Sequence, residues 1–153
     1  MVFEISISRT IDAPKEFVFD WWTDLSPNDS KLVKPLKVRE IISRTPETIL
    51  LRDEEEMYFK RMSFNVKVSL ERPTKWVSEY DGKDARARSE YILTSNGSKT
   101  NLEYHTKIEP KGFMTDLFSP LVKPFVKHVF SGEINVFIRT LEDEFKQSQK
   151  NPA

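Results

Sequence analysis

The chain closes with the long stretch Phe113–Gln147, FMTDLFSPLVKPFVKHVFSGEINVFIRTLEDEFKQ. From residue 126 onward its apolar residues recur at spacings of three and four, which predicts a helix with one continuous apolar stripe. The stripe comprises Val126, Phe130, Ile134, Phe137, Leu141 and Phe145. Pro124 lacks an N–H and crowds the preceding turn, so we expect an irregular approach over residues 113–124 before the regular helix. A lone terminal helix of this length must bury its stripe against a sheet.

The sheet is predicted by seven segments in which apolar and polar residues alternate, the period of a half-buried strand. They lie at residues 2–9, 36–42, 48–52, 57–70, 75–80, 85–94 and 99–109. Short turn sequences such as Ser95–Ser98 join them, and strands joined in this way build an antiparallel meander. The acidic run Asp53–Glu56 is interpreted as a solvated turn. The sequence therefore predicts an α+β protein whose curved antiparallel sheet wraps around the C-terminal helix and encloses a cavity.

Two short helices are expected between the first and second predicted strands. The first begins near residues 12–14, because Asp12 or Ala13 can cap a helix and Pro14 fits its first turn. It presents the apolar residues Phe17, Val18, Trp21 and Trp22. Residues 26–29 break this helix, and a second short helix is expected through residues 32–33.

The opening segment 7–25, ISRTIDAPKEFVFDWWTDL, resembles the usual opening of the Bet v 1-like, START-related (SRPBCC) superfamily, the polyketide cyclase/dehydrase and lipid-transport family. The segment from residue 119 to residue 141 is similar to the closing helix of that family. The resemblance covers nearly the whole chain, but its motifs are structural and specify the fold more firmly than the function. It implies a helix-grip fold, with a seven-stranded antiparallel sheet around a long C-terminal helix and two short helices after the first strand. We expect one such domain over residues 1–150 and a frayed tail at 151–153.

Composition limits the classes of partner. The chain carries 24 basic and 24 acidic residues, so neither nucleic acid nor an anionic membrane is favoured as a long-range electrostatic partner. It has no cysteine, which excludes thiolate chemistry and favours a reducing compartment. No apolar run approaches the ~20 residues that span a bilayer, and the first residues alternate like a strand rather than a signal peptide. We therefore expect a cytoplasmic monomer or weak dimer, without stable membrane insertion.

The resemblance implies a cavity between the concave face of the sheet and the long helix, in which a hydrophobic small molecule or lipid binds. Candidate ligand-binding residues on the strands are Phe64, Val66, Trp76, Tyr80, Tyr91, Leu93, Leu102 and Tyr104. Candidates on the helix are Phe125, His128, Val129 and Phe137. The tyrosines and the tryptophan combine apolar contact with a hydrogen-bonding group, and His128 is the candidate polar anchor on the helix.

Other polar residues are assigned to the surface. Strand alternation places His105 on the outer face with Glu103 and Lys107. The residues Arg86 and Arg88 are interpreted as part of a salt-bridged outer face, although the opposite register would turn them inward to bind a carboxylate. The sequence contains no metal-ligand spacing, nucleophile elbow or phosphate-binding loop. We accordingly predict no catalytic residue, metal or cofactor.

Three functions remain open, and a binding or carrier protein for a hydrophobic small molecule or lipid is favoured. The second is a polyketide cyclase/dehydratase-like enzyme, in which Tyr80, Tyr104 or His128 acts as the acid or base. The third is an interaction module similar to the chaperone-stimulating members of the superfamily. A cavity without convergent polar groups favours the carrier, a polar group of shifted pKa inside it favours the enzyme, and a filled core with an exposed apolar patch favours the interaction module.

Overall fold

The computed structural model describes residues 2–33, 35–57, 60–112 and 114–150, without the side chains of residues 27, 28, 57 and 117. The predicted tail 151–153 and the first residue of the closing stretch, Phe113, lie outside the described residues. No helix in the described ranges is long and apolar enough to cross a membrane.

The elements follow the order expected for a helix-grip fold. The strands are β1 (Phe3–Ile11), β2 (Leu36–Arg44), β3 (Thr48–Met57), β4 (Lys60–Glu71), β5 (Lys75–Gly82), β6 (Ala85–Asn96) and β7 (Lys99–Pro110). The α-helices are α1 (Lys15–Thr23), α2 (Met114–Leu117) and α3 (Lys123–Lys150), and two short 3-10 helices cover Pro27–Lys31 and Pro120–Val122. The prediction of a seven-stranded sheet with a long C-terminal helix is confirmed.

All seven strands form one antiparallel sheet in the order β1-β7-β6-β5-β4-β3-β2. Burial alternates cleanly in β4 and β7, where every second side chain faces the core. Tyr104 of β7 lies opposite Ile7 of β1 and Tyr91 of β6, and all three side chains belong to or pack against the core. The concave face of the sheet is thus the apolar face, because the strand period places all such residues on one side.

The helix α3 packs its apolar stripe on this concave face. Val126, Ile134 and Leu141 are buried, and Phe130 and Phe137 are half-buried against the core. The helix begins at Lys123, so Pro124 lies in its first turn, where the missing N–H has no partner to lose. The irregular approach predicted before residue 124 is confirmed for its described part: the short helix α2 and the second 3-10 helix precede α3.

The second short helix is confirmed, but it is the 3-10 helix Pro27–Lys31 and lies just before the expected residues 32–33; the N–H of Asp29 donates to the carbonyl of Ser26 and starts the turn. One local prediction was wrong. The acidic run Asp53–Glu56 is the end of β3 rather than a solvated turn. Its pairing with β4 continues through Asp53 opposite Phe64 and Glu55 opposite Met62, so alternate carboxyl groups face inward.

Candidate functional site

Two adjoining cavities lie between the concave face of the sheet and α3. The main cavity has a volume of about 120 Å³. Its lining residues are Pro35, Glu55, Met62, Phe64, Tyr80, Ala85, Ala87, Ser89, Tyr91, Tyr104, Thr106, Ile108, Met114, Phe118, Phe130 and Glu133. The side cavity has a volume of about 80 Å³. It is lined by Trp22, Leu25, Asp29, Val33, Leu36, Arg39, Glu55, Trp76, Ser78, Tyr80, Tyr91, Glu133 and Phe137.

Four polar residues line both cavities, and we refer to them as the junction: Glu55 of β3, Tyr80 of β5, Tyr91 of β6 and Glu133 of α3. All four are of intermediate exposure. They are nevertheless strongly desolvated, which indicates that the surface they retain faces the cavities rather than bulk water. The junction therefore brings polar groups from one helix and three strands to a single place inside the core.

Aromatic stacking fixes the walls around the junction. The rings of Trp76 and Tyr91 lie opposite each other on β5 and β6 and stack with centroids 4.7 Å apart and planes 9° apart. Trp22 of α1 packs on Tyr91 at 5.8 Å and on Phe137 of α3 at 5.6 Å. These contacts tie the short helix, the sheet and the long helix together at the side cavity.

Tyr104 lines only the main cavity and takes part in a small hydrogen-bonded group. Its hydroxyl lies 3.4 Å from the hydroxyl of Ser89, which in turn lies 2.8 Å from the hydroxyl of Thr106. Burial raises the pKa of Tyr104 to about 12. Burial also raises the pKa values of Tyr80 and Tyr91 well above that of a free phenol. All three tyrosines are therefore neutral hydrogen-bond donors at physiological pH.

The two junction carboxyl groups are the main electrostatic feature of the site. Burial raises the pKa of Glu55 to about 8, and the nearby carboxyl groups of Glu133 and Asp53 add to the rise. Burial raises the pKa of Glu133 to about 7. Neither side chain makes a hydrogen bond or an ion pair with any residue that the structure describes. Both groups thus change protonation near neutral pH.

Arg39 does not neutralise this pair, because its guanidinium is already engaged. It donates to both carboxylate oxygens of Asp53 at 2.9 and 2.8 Å and to Asp29 at 2.9 Å. Asp53 is fully buried (0% exposed), and this bidentate pairing compensates its charge. Burial raises the pKa of Asp29 to about 6, although Arg39 opposes the rise. A bulge between Leu36 and Val38 shifts the phase of β2, so that Arg39 points inward.

The structure brings six of the predicted ligand-binding residues to the cavities. Phe64, Tyr80, Tyr91 and Tyr104 line the main cavity, and Trp76, Tyr80, Tyr91 and Phe137 line the side cavity. Val66, Leu93 and Leu102 are buried in the core but line neither cavity. Ligand binding by the six cavity residues stays a prediction.

Three predicted helix residues lie away from both cavities. Phe125 is 57% exposed, His128 is exposed, and Val129 is half-buried without lining either cavity. The reason is the phase of the helix: His128 precedes the lining residue Phe130 by two positions, which is about 200° of rotation. Placing His128 and Phe125 at the cavity was a misjudgement of that phase.

Sequence reasoning missed the two junction glutamates, although both had a signal. Glu133 falls between Phe130 and Phe137 at spacings of three and four, in phase with the apolar stripe. Glu55 continues the alternation that begins with Ile49 and Leu51 on β3. The residue types alone indicated a solvated surface, because carboxylates are rarely buried without a partner.

The outer face of the sheet agrees with expectation. Arg88 pairs with Glu90 at 3.0 Å, and Lys75 pairs with the same carboxylate at 3.3 Å. His105 is exposed, and its Nδ1 lies 2.8 Å from the hydroxyl of Ser6. Among the described residues, no group of three or more His, Cys, Asp or Glu side chains is placed to hold a metal ion.

Comparisons with known proteins support the fold. No family model matches the chain, and no curated protein matches it. Among solved structures, it is similar to the Zhui aromatase/cyclase from Streptomyces sp. R1128, with a TM-score of 0.74 and 10% identity over 97% of this chain and 96% of that chain. It is also similar to a START superfamily protein from Mycobacterium smegmatis, with a TM-score of 0.69 and 17% identity over 95% of this chain and 98% of that chain.

A third similar structure is a STAR-related lipid transfer protein (fragment 25–204) from Xanthomonas axonopodis, with a TM-score of 0.75 and 13% identity over 90% of this chain and 85% of that chain. At such identities the likeness shows the fold alone. The chain has the helix-grip fold of START-related and polyketide aromatase/cyclase proteins, and the resemblance inferred from its opening segment is confirmed at that level.

Proposed function

We propose that the protein is a cytoplasmic binding or carrier protein, a single domain over residues 1–150, that holds an apolar small molecule in the main cavity. The observation that carries the proposal is the cavity itself, which the fold encloses between aromatic side chains of the sheet and α3. The structural neighbours include a lipid transfer protein and an aromatase/cyclase, which supports an apolar ligand.

The size of the cavity limits the ligand. Its volume of about 120 Å³ is close to that of an engineered cavity of ~150 Å³ that binds benzene, and below the ~300 Å³ at which drug-sized pockets begin. A molecule with a single ring fits the main cavity as it stands. A larger ligand requires the irregular segment 112–124 to move, because Met114 and Phe118 close the cavity on that side. We propose that this segment gates access.

The first experiment is native mass spectrometry of the freshly purified protein, followed by solvent extraction of any adduct. Toluene is then titrated while the unfolding temperature is measured, because a ligand that binds only the folded state raises it. Ala87→Leu fills the main cavity and should abolish the rise, whereas Thr94→Leu adds the same side chain at an exposed position of the same strand and should leave it intact. An equal rise in both variants would contradict binding in this cavity.

A second candidate function, acid–base catalysis of a cyclase/dehydratase kind, is favoured by the junction carboxyl groups. With pKa values of about 8 and about 7, Glu55 and Glu133 can donate and accept a proton near neutral pH. This matches the expectation that a group of shifted pKa inside the cavity points to an enzyme. The candidate groups differ, however, because the carboxyl groups replace the exposed His128. The interaction-module hypothesis required a filled core, which the two cavities do not favour.

Catalysis can be tested without the natural substrate. Acetophenone is incubated with the protein in D2O, and deuterium incorporation into its methyl group is followed by NMR, since abstraction of a proton next to a carbonyl is the elementary step of such chemistry. Exchange faster than in buffer, and slowed by Glu55→Gln or Glu133→Gln, would support catalysis. Exchange no faster than in buffer would contradict catalysis, and binding would then be the only function proposed.

A further inference from the structure

The junction contains polar groups that no described residue of the protein satisfies. Within the described residues, the carboxyl groups of Glu55 and Glu133 and the hydroxyls of Tyr80 and Tyr91 make no hydrogen bond. Buried polar groups are nearly always paired, and leaving one unpaired is costly. Four such groups that meet where the two cavities adjoin indicate that an occupant supplies their partners.

The charge around the junction is one-sided. Four carboxyl groups line or adjoin the two cavities: Asp29, Asp53, Glu55 and Glu133. Arg39 is the single cationic side chain among the described lining residues, and it is bound to Asp29 and Asp53. An anionic head group entering the junction would therefore meet like charge, without a free cation among the lining residues that the structure describes. A cationic head group would relieve the repulsion between Glu55 and Glu133.

The aromatic walls favour the same kind of head group. Tyr91 of the junction stacks on Trp76, and Trp22 packs against both rings. Aromatic faces attract cations, most strongly where water is excluded. An ammonium group has three donors and no acceptor, which suits two carboxylates and a phenol oxygen.

We infer that the ligand of the main cavity is a small apolar amine, held at the junction as an ammonium group that donates to Glu55 and Glu133. This inference rests on the proposed function, because it names the class of molecule that the cavity binds. A protonated amine favours the ionised form of both carboxyl groups, so that its binding near neutral pH releases about one proton.

Several other titratable groups line or adjoin the two cavities beside these glutamates, and of these Asp53 raises and Arg39 lowers the pKa of Glu55. They are Asp29 of the first 3-10 helix, Arg39 of β2, Asp53 of β3, Tyr80 of β5, Tyr91 of β6 and Tyr104 of β7. Between about pH 6 and about pH 8, Arg39 stays charged and the tyrosines stay neutral. Asp29, with a pKa of about 6, changes charge at the lower end of this range, and the two glutamates change charge above it.

The test uses three probes of the same size that differ in the charge of one group: benzylamine, benzyl alcohol and benzoate. Calorimetric titration of the full chain should show benzylamine binding about tenfold more tightly than benzyl alcohol, because a charge-assisted hydrogen bond is about twice as strong as a neutral one. Benzoate should not bind. Titration in two buffers of different ionisation enthalpy should show proton release with benzylamine.

Matched variants locate the effect. Glu55→Gln and Glu133→Gln should each remove the preference for benzylamine over benzyl alcohol. Glu56→Gln alters the exposed neighbour on β3, and Asp143→Asn alters an exposed residue of α3, so both should retain the preference. Circular dichroism of each variant shows whether it folds, and replacing a desolvated carboxyl group with an amide should not unfold the protein.

The outcomes separate this inference from the proposed function. If benzyl alcohol binds and benzylamine has no advantage, or if benzoate binds best, the amine inference is overturned and the cavity function stands. The inference also fails if benzylamine keeps its advantage in both Gln variants of the junction, because the carboxyl groups then do not recognise it. If none of the three probes binds, both the inference and the binding of a single-ring ligand are overturned.

Discussion

The two faces of the sheet use charged residues in opposite ways. On the convex face, Glu90 lies between Arg88 and Lys75, and the hydrogen bond from Arg88 lowers the pKa of that carboxyl group. On the concave side, Glu55 of β3 and Glu133 of α3 have no such partner among the described residues, and burial raises both pKa values. A glutamate on the convex face therefore forms ion pairs at the surface. A glutamate at the cavities lacks a hydrogen-bond partner among the described residues. Unpaired groups in a cavity, rather than the number of charges, distinguish a binding site from a surface.

The largest difference between the two faces is expected in the free energy of unfolding when the aromatic residue Trp76 is replaced. Trp76 is 1% exposed on the concave face, and Trp76→Ala should lower the free energy of unfolding by about 3–5 kcal/mol because it removes the stacking partner of Tyr91 and leaves a cavity. Glu79→Ala, at an exposed position of the same strand, should change it by less than about 0.5 kcal/mol. Urea unfolding measures the stability of both variants. Equal losses of stability would show that the packing of Trp76 does not stabilise the core.

Replacing an arginine on each face should give the next largest difference in the free energy of unfolding. Arg39→Leu leaves the buried carboxylate of Asp53 without its bidentate partner, which should cost about 3 kcal/mol. Arg88→Leu breaks an exposed ion pair on the convex face and should cost less than about 1 kcal/mol. The double variant Arg39→Leu/Asp53→Asn should recover part of the loss. No recovery in urea unfolding would mean that the charge of Asp53 is not the cause.

The pH dependence of stability should have opposite signs on the two faces. The folded pKa of Glu55, about 8, exceeds its unfolded value of about 4.3, so its protonation stabilises the folded state below the unfolded pKa, and this contribution is lost as the pH rises towards 8. Between pH 6 and pH 8, Glu55→Gln should remove about 2 kcal/mol of that decline. The pKa of Glu90 is lowered, so its contribution is present above its unfolded pKa and is lost as the pH falls. Urea unfolding at a series of pH values measures how the free energy of unfolding changes with pH. If the stability of Glu55→Gln fell with rising pH as steeply as that of the parent, the raised pKa of Glu55 would be refuted.

The smallest effect concerns the two sides of α3. Phe125→Ser should change the free energy of unfolding by no more than about 0.5 kcal/mol and leave toluene binding intact, because this ring is mostly exposed. Phe130→Ser alters a half-buried lining residue of the main cavity and should weaken toluene binding. If Phe125→Ser abolished binding, the helix would have to present its other side to the ligand.

The sequence predicted the fold well because local periodicity is retained in the folded chain. Alternation in β4 and β7 predicts which side chains of these strands are buried. The three- and four-residue spacing does the same for α3. Prediction failed where a bulge shifted which side chains of a strand face inward, or where charged residues occupied a buried strand. The bulge in β2 turned Arg39 inward, and β3 continued through an acidic run that reads as a turn.

The sequence by itself determined the order of the elements, the sheet, the closing helix and six of the aromatic residues that line the cavities, because these depend on periods of two and 3.6 residues within single segments. Only the tertiary structure decided that Glu55 of β3 and Glu133 of α3 meet beside Tyr80 and Tyr91. The pKa of each glutamate depends on water excluded by elements far apart in the chain, and no local pattern encodes that exclusion.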